Sequence, residues 1–416
     1  VKIVVILIAV MVLAPILIAE DTGTLTLSDC LRIALSGHPS IHAATADVRA
    51  ARARIVTAGS LSQPELSFDS DLQPRLFSFR RSGESYLGLS QTIDWPGKLV
   101  TRSGIARQEA RESGFEADQV KCELILQVKL AFFSLLAAEE QAALGAENLE
   151  LARDFLTKAK LKFEAGDAPQ IEMMKAEVET ARAETELMFA RSRVKTATVT
   201  LNTLLGRPVG APLPIRGEMK PLSLEMDPVR LQEYAQQHRP EILRGRTALK
   251  RSSLVQKQAG LGYLPDLTLG VARHRIVGET STWDVTVALQ FPLFFWQGWR
   301  GEIREAAALK EKAAAELALL EKTVLQEVEI AWQNLTAMNQ QIRFFEDQVL
   351  RQAEEVYRKT MFSYQEGEVG YVELIESRRT LIETKKTYTD VLFQYQAALG
   401  ELEKAVGRTL TEDHHG

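Results

Sequence analysis

Two stretches of the chain alternate apolar and polar residues with a period of two. In the first, Leu66 and Phe68 alternate with Ser67, Asp69 and Asp71, and Leu87, Leu89 and Ile93 alternate with Gly88, Ser90 and Thr92. In the second, Leu267, Leu269 and Val271 alternate with Thr268, Gly270 and Ala272. Trp283, Val285, Val287, Leu289 and Phe291 then alternate with Asp284, Thr286, Ala288 and Gln290. Period two predicts strands with one apolar and one polar face. These runs, at about ten residues, suit tilted strands crossing a bilayer. Two ordinary surface hairpins fit the same pattern.

Elsewhere the apolar period is helical. Ala331, Leu335, Met338, Ile342, Phe345 and Val349 step by four and three, as do Ile171, Met174, Val178 and Ala181. That spacing predicts coiled-coil seams. Residues 99–165 contain no proline, and 300–366 repeat the length. Each would form roughly 100 Å of helix, too long for a compact globule. A plain antiparallel coiled coil satisfies the seams equally well.

The whole pattern occurs twice. Pro39, Ile41, Ala58, Gly59, Pro64 and Leu66 recur about 201 residues later as Pro240, Ile242, Ala259, Gly260, Pro265 and Leu267. Leu201, Gly206 and Arg207 recur as Leu402, Gly407 and Arg408. A fixed offset over most of the chain predicts two copies of one fold. The first repeat spans 20–207, with a hairpin at 64–95 and long helices at 99–165 and 169–205. A Pro-rich connector covers 208–227. The second repeat spans 228–408, with a hairpin at 265–292, long helices at 300–366 and 371–405, and a tail at 409–416. The long helices reverse at Gly166-Asp167-Ala168-Pro169 and Gly367-Glu368-Val369-Gly370, where glycine ends one helix and proline can open the next.

Residues 1–19 hold one lysine and an apolar run ending at Ala19, which predicts a secretory signal. A net charge of −5 without a basic block argues against nucleic acid as a partner. Mean hydropathy of −0.10 excludes a helical membrane protein but not a membrane barrel, whose strands are half polar. Cys30 and Cys122 are too few for a disulfide framework. His38 and His42 share the i, i+4 spacing of a metal pair, yet no local carboxylate or cysteine completes a set. There is no HExxH, GxSxG, P-loop or dinucleotide fingerprint. The sequence therefore predicts no cofactor, no metal site and no enzyme. A structural coiled-coil protein and a periplasmic enzyme stand as rival classes.

Taken in order, the duplicated units, Leu204-Leu205-Gly206-Arg207-Pro208 closing the first, and the turns at Gly166 and Gly367 resemble the TolC-like outer-membrane efflux proteins. Trp95-Pro96-Gly97-Lys98 and Phe291-Pro292-Leu293-Phe294 are more similar to its heavy-metal branch. The resemblance implies a mainly α fold with membrane β: a homotrimer whose four strands per chain close a twelve-stranded outer-membrane barrel, continued by a periplasmic α-helical barrel. Asp69, Asp71 and Asp284 would face water, and Trp95, Phe294, Phe295, Trp296 and Trp299 would lie near the periplasmic interface. It implies a passive exit duct working with a periplasmic adaptor and an inner-membrane pump of RND or ABC type, with metal ions, drugs or proteins as cargo. It places the adaptor contact at Gly166, Asp167, Ala168, Pro169, Gly367, Glu368, Val369 and Gly370, and the pore gate at Glu373, Glu376 and Tyr364. In that family a Tyr and an Arg often latch the gate, and Val369 stands where the Arg is expected.

Overall fold

The computed structural model describes residues 24–71, 77, 79, 83–222, 227–291 and 298–410. The signal at 1–19, Phe294, Phe295, Trp296 and the end of the tail lie outside them. Each half begins with two helices broken at proline. In the first half these are α1 (Leu27–Gly37) and α2 (Pro39–Ala58). Thr26 caps α1 and exchanges hydrogen bonds with Asp29, and the His38 ring accepts from Ser40 N to cap α2. His38 thus serves as the N-cap of α2. The second half has α5 (Pro228–His238), capped by Asp227, and α6 (Pro240–Leu261). In both halves the residue before proline is extended, which forces the break.

Strands β1 (Glu65–Asp71), β2 (Glu84–Ile93), β3 (Asp266–Ile276) and β4 (Thr282–Gln290) form one antiparallel sheet in chain order. The halves join through β2 and β3, where Leu89 faces Val271 and Gly88 faces Ala272. Residues directly opposite share a face. One face carries Leu66, Phe68, Leu87, Leu89, Leu269, Val271, Val285 and Val287, nearly all of it exposed. The other carries Asp69, Asp71, Gly88, Thr92, Thr268 and Asp284. Both β1 and β4 keep an open edge in the single chain. At the foot of the sheet Lys98 holds both carboxylate oxygens of Asp266 at 3.0 Å, tying the two halves.

Below the sheet run the long helices. In the first half they are α3 (Pro96–Ala165) and α4 (Gln170–Leu204). In the second they are α7 (Trp299–Phe344), α8 (Leu350–Gln365) and α9 (Tyr371–Val406). A single π turn, Phe345–Val349, separates α7 from α8, so the second descending helix is not one uniform α-helix. The seam at Ala331, Leu335, Met338, Ile342 and Phe345 lies in the core shared with α9, against Val391, Leu392, Tyr395 and Leu399.

The α4 seam is not the face that packs within the chain. Ile171, Met174, Val178 and Ala181 are exposed. The buried face of α4 is Ala176, Thr180, Ala183 and Leu187, two positions round the helix. A 3.5-residue period marks a contact face without naming the neighbour. Small residues let α3 and α4 approach on the opposite side, so the larger seam faces away from α3.

The connector is not a loose tether. Leu213 and Ile215 enter the first-half core, while Met219 and Leu222 pack on the second. Leu25 bridges to Ile215, and Tyr395 Oη accepts from Leu222 N at 3.0 Å.

Candidate functional site

The chemistry-bearing residues gather at the end of the helices opposite the sheet, where two reversals sit side by side. In each, a glycine takes the left-handed conformation that ends a helix: Gly166 at φ +80 and Gly367 at φ +81. Asp167 N donates to Lys162 O at 2.9 Å, and Glu368 N to Ser363 O at 2.8 Å. Pro169 and Gly370 are extended and start α4 and α9. No other residue stands within 4 Å of a Cβ built on Gly166 or Gly367, so both turns are open to a partner.

An aromatic brace stands just behind the turns. Phe155, Tyr364 and Tyr371 meet edge-on or tilted, with centroids 6.2 to 6.5 Å apart. Lys162 lies 4.9 Å over the Tyr364 ring. Arg378, 4% exposed, sits 5.7 Å over Phe155 and makes no ion pair among the described residues. Burial pulls its pKa down, and burial pushes the Tyr371 hydroxyl up to about 12.

Tyr364 therefore packs inside the protomer, with the buried face of α9 formed by Tyr371, Leu374, Ile375 and Arg378. Glu373 and Glu376 occupy the exposed face of the same helix. Neither glutamate side chain pairs with the cations nearest in sequence: Arg379 reaches Glu179 of α4 at 2.6 Å, and Lys385 approaches Glu354 at 3.9 Å. Two turns beyond Arg379, Lys386 holds Glu186 at 2.9 Å. Phe155, Tyr357, Arg378 and these α4–α9 ion pairs were not singled out in the sequence. Phe155 and Glu179 lie more than 190 residues from their α9 partners, and no local pattern announces them.

Among the described residues no cluster of three or more His, Cys, Asp or Glu is placed to hold a metal, and no helix is long and apolar enough to cross a membrane. A cavity of about 710 Å³ is an open groove between α3, α4 and α9 lined by Gln141, Phe189, Arg193 and Asp390. It has the form of a helix–helix groove, without converging catalytic groups.

Comparison with known proteins fits this geometry. The chain is 23% identical over 397 residues to the cobalt-zinc-cadmium resistance protein CzcC of Cupriavidus metallidurans, covering 95% of this chain and 93% of that protein. It is 26% identical over 379 residues to the pyoverdine export outer membrane protein OpmQ of Pseudomonas putida, covering 85% and 80%. The fold matches CusC with a TM-score of 0.79 at 18% identity over 92% of both chains. It matches the open state of the MtrE outer membrane channel of Neisseria gonorrhoeae with a TM-score of 0.77 at 19% identity, over 94% and 91%. The outer membrane efflux protein model matches residues 30–207 and again 231–408, one copy in each half, and the chain belongs to that family.

Proposed function

We propose that this protein is the outer-membrane exit duct of a tripartite efflux system. It is a passive conduit and not an enzyme. The observation that carries the reading is the double family match laid over a half-apolar, four-stranded sheet with two open edges. Such a sheet cannot stand in lipid alone, because its edge amides would be unpaired. Three copies close it into a twelve-stranded barrel. The helices then continue the duct into the periplasm, with α4 of one copy beside α7 and α8 of the next. The exposed Ile171, Met174 and Val178 seam supports that contact.

The turns at Gly166–Pro169 and Gly367–Gly370 receive the helical hairpin of a periplasmic adaptor, which couples the duct to an inner-membrane pump. Glu373 and Glu376 line the pore at its narrow end as two rings of three carboxylates, and Tyr364 holds the tip together behind them. Stacked like charges attract cations and loosen the constriction. Metal cations are the favoured cargo, because a cobalt-zinc-cadmium resistance protein is a relative over nearly the whole chain and the polar sheet face carries Asp69, Asp71, Glu84 and Asp284. The pyoverdine-export relative favours a second reading, export of organic molecules.

The test is complementation. A Gram-negative strain deleted for its own exit duct receives this gene with its neighbouring pump and adaptor genes. Restored tolerance to cobalt, zinc or cadmium supports metal efflux. Restored export of organic compounds alone moves the cargo to the second reading, and no rescue of either refutes the duct.

A further inference from the structure

The sheet separates charge by face. Strand register puts Glu65, Asp69, Asp71, Glu84, Asp266 and Asp284 together on the polar face, with His274. The apolar face has no carboxylate among the described strand residues. It carries two cations, Arg273 and Arg275, both at the end of β3 far from the helices and both exposed.

Their height matters. From Leu267 to Arg275 the strand rises about 26 Å, which its tilt reduces to about 20 Å along the barrel axis, most of the height of an apolar band. Below them Leu267, Leu269 and Val271 alternate outward without interruption. Beside them is an aromatic belt. Arg273 lies directly opposite Trp283, with its guanidinium 5.9 Å from the ring centroid. Phe68 is on the same face and packs edge-on to Phe79, which meets Phe77. Glu84 and Asp284, the carboxylates at the same height, lie on the other face beside His274. Arginines at mid-depth of such a face would be expelled, whereas at its rim they meet headgroups. A planar guanidinium binds phosphate oxygens through two parallel hydrogen bonds, and the cation–π contact with Trp283 favours one orientation of Arg273.

We propose that Arg273 and Arg275, oriented by Trp283, form a binding site for the phosphate groups of the outer-leaflet glycolipid. The proposal rests on the reading that this sheet stands in the outer membrane. Three copies would repeat the site around the barrel and fix the height of the duct in the bilayer. The source is the lipid, since the site continues the apolar face that acyl chains cover.

The test uses the full-length trimer and the double variant Arg273→Gln with Arg275→Gln, each in phosphatidylcholine vesicles doped with bisphosphorylated lipid A or with its dephosphorylated form. Native mass spectrometry reads the retained lipid. The parent should hold bisphosphorylated lipid A at least about tenfold more tightly than the variant does. Both should hold the dephosphorylated form equally weakly. Inorganic pyrophosphate should not displace the bound lipid. Equal retention by parent and variant would overturn the proposal, and so would full displacement by pyrophosphate, which would make the ligand a soluble anion. If the variant fails to assemble, the parent's ratio between the two lipid A forms decides the matter alone. A parent protein absent from outer-membrane fractions would refute the duct reading itself. Insertion without phosphate preference would refute only this site.

Discussion

Arg379 and Glu179 are joined by a 2.6 Å hydrogen bond and separated by 200 residues, close to the length of the internal repeat. Lys386 and Glu186 repeat the relationship at the same separation. The ascending helices α4 and α9 therefore meet at near-equivalent positions of the two halves. There α4 carries the acids and α9 the cations, so a duplicated surface that would otherwise repel itself attracts.

These pairs are half-exposed, and such pairs contribute about 0.2–1 kcal/mol each. A double-mutant cycle on Glu179→Gln and Arg379→Gln, read by thermal melting of the detergent-solubilised protein, should give a coupling energy in that range, reduced by salt. Strict additivity of the two substitutions would show that the contact does not hold α9 to α4.

A buried ion pair higher on the same helix behaves differently. Lys129 and Glu403 are bonded with side chains 6% and 5% exposed, and Glu403 also accepts from Leu410 N at 2.8 Å. Glu403→Gln alone leaves a buried ammonium unpaired and should cost about 3–5 kcal/mol. Replacing both partners by apolar residues, as in Lys129→Met with Glu403→Leu, should recover most of that loss. Equal instability of the single and double variants would contradict the assignment.

At the first helix the Asp29 carboxylate accepts from Thr26 Oγ1 at 2.6 Å and from Arg32 at 2.8 Å. These bonds hold its pKa at about 2, below the ordinary 3.8, with the Thr26 hydroxyl contributing most. A depressed pKa means that this contribution is complete above pH 3.8 and is lost as pH falls through about 2. Amide exchange at the start of α1 should accelerate across that window, and Asp29→Asn should abolish the dependence.

The tip turns give a further test. A side chain at Gly367 would be strained at φ +81, and a Cβ at Gly370 would meet the Glu373 carboxylate at 2.8 Å. Bulky substitutions at either position should lower cross-linking to the adaptor and lower efflux while the protein still assembles. Undiminished transport would remove the turns from the docking surface.

Much of this architecture was legible in the chain. Alternation at Val285, Val287 and Leu289 gave each residue's face, since a strand has only two. Duplication around Pro39 and Pro240 gave two helix–hairpin–helix units. What stayed hidden depends on distant neighbours. The α4 period at Ile171, Met174 and Val178 was visible, yet which side met α3 depended on Ala176 and Ala183, whose small size carries little periodic signal. Nothing local marks Arg378 for burial, since the Phe155 ring it covers lies more than 200 residues away. The π turn at Phe345–Val349 also left no mark, because the steps of four and three run through Phe345 and Val349 unbroken.

Planar-bilayer recording of the purified protein reaches the central claim most directly. A duct narrowed by carboxylates predicts discrete, cation-selective conductance steps. Glu373→Gln with Glu376→Gln should reduce that selectivity and weaken block by multivalent cations, with assembly unchanged. Conductance absent from a correctly assembled parent protein would contradict the account.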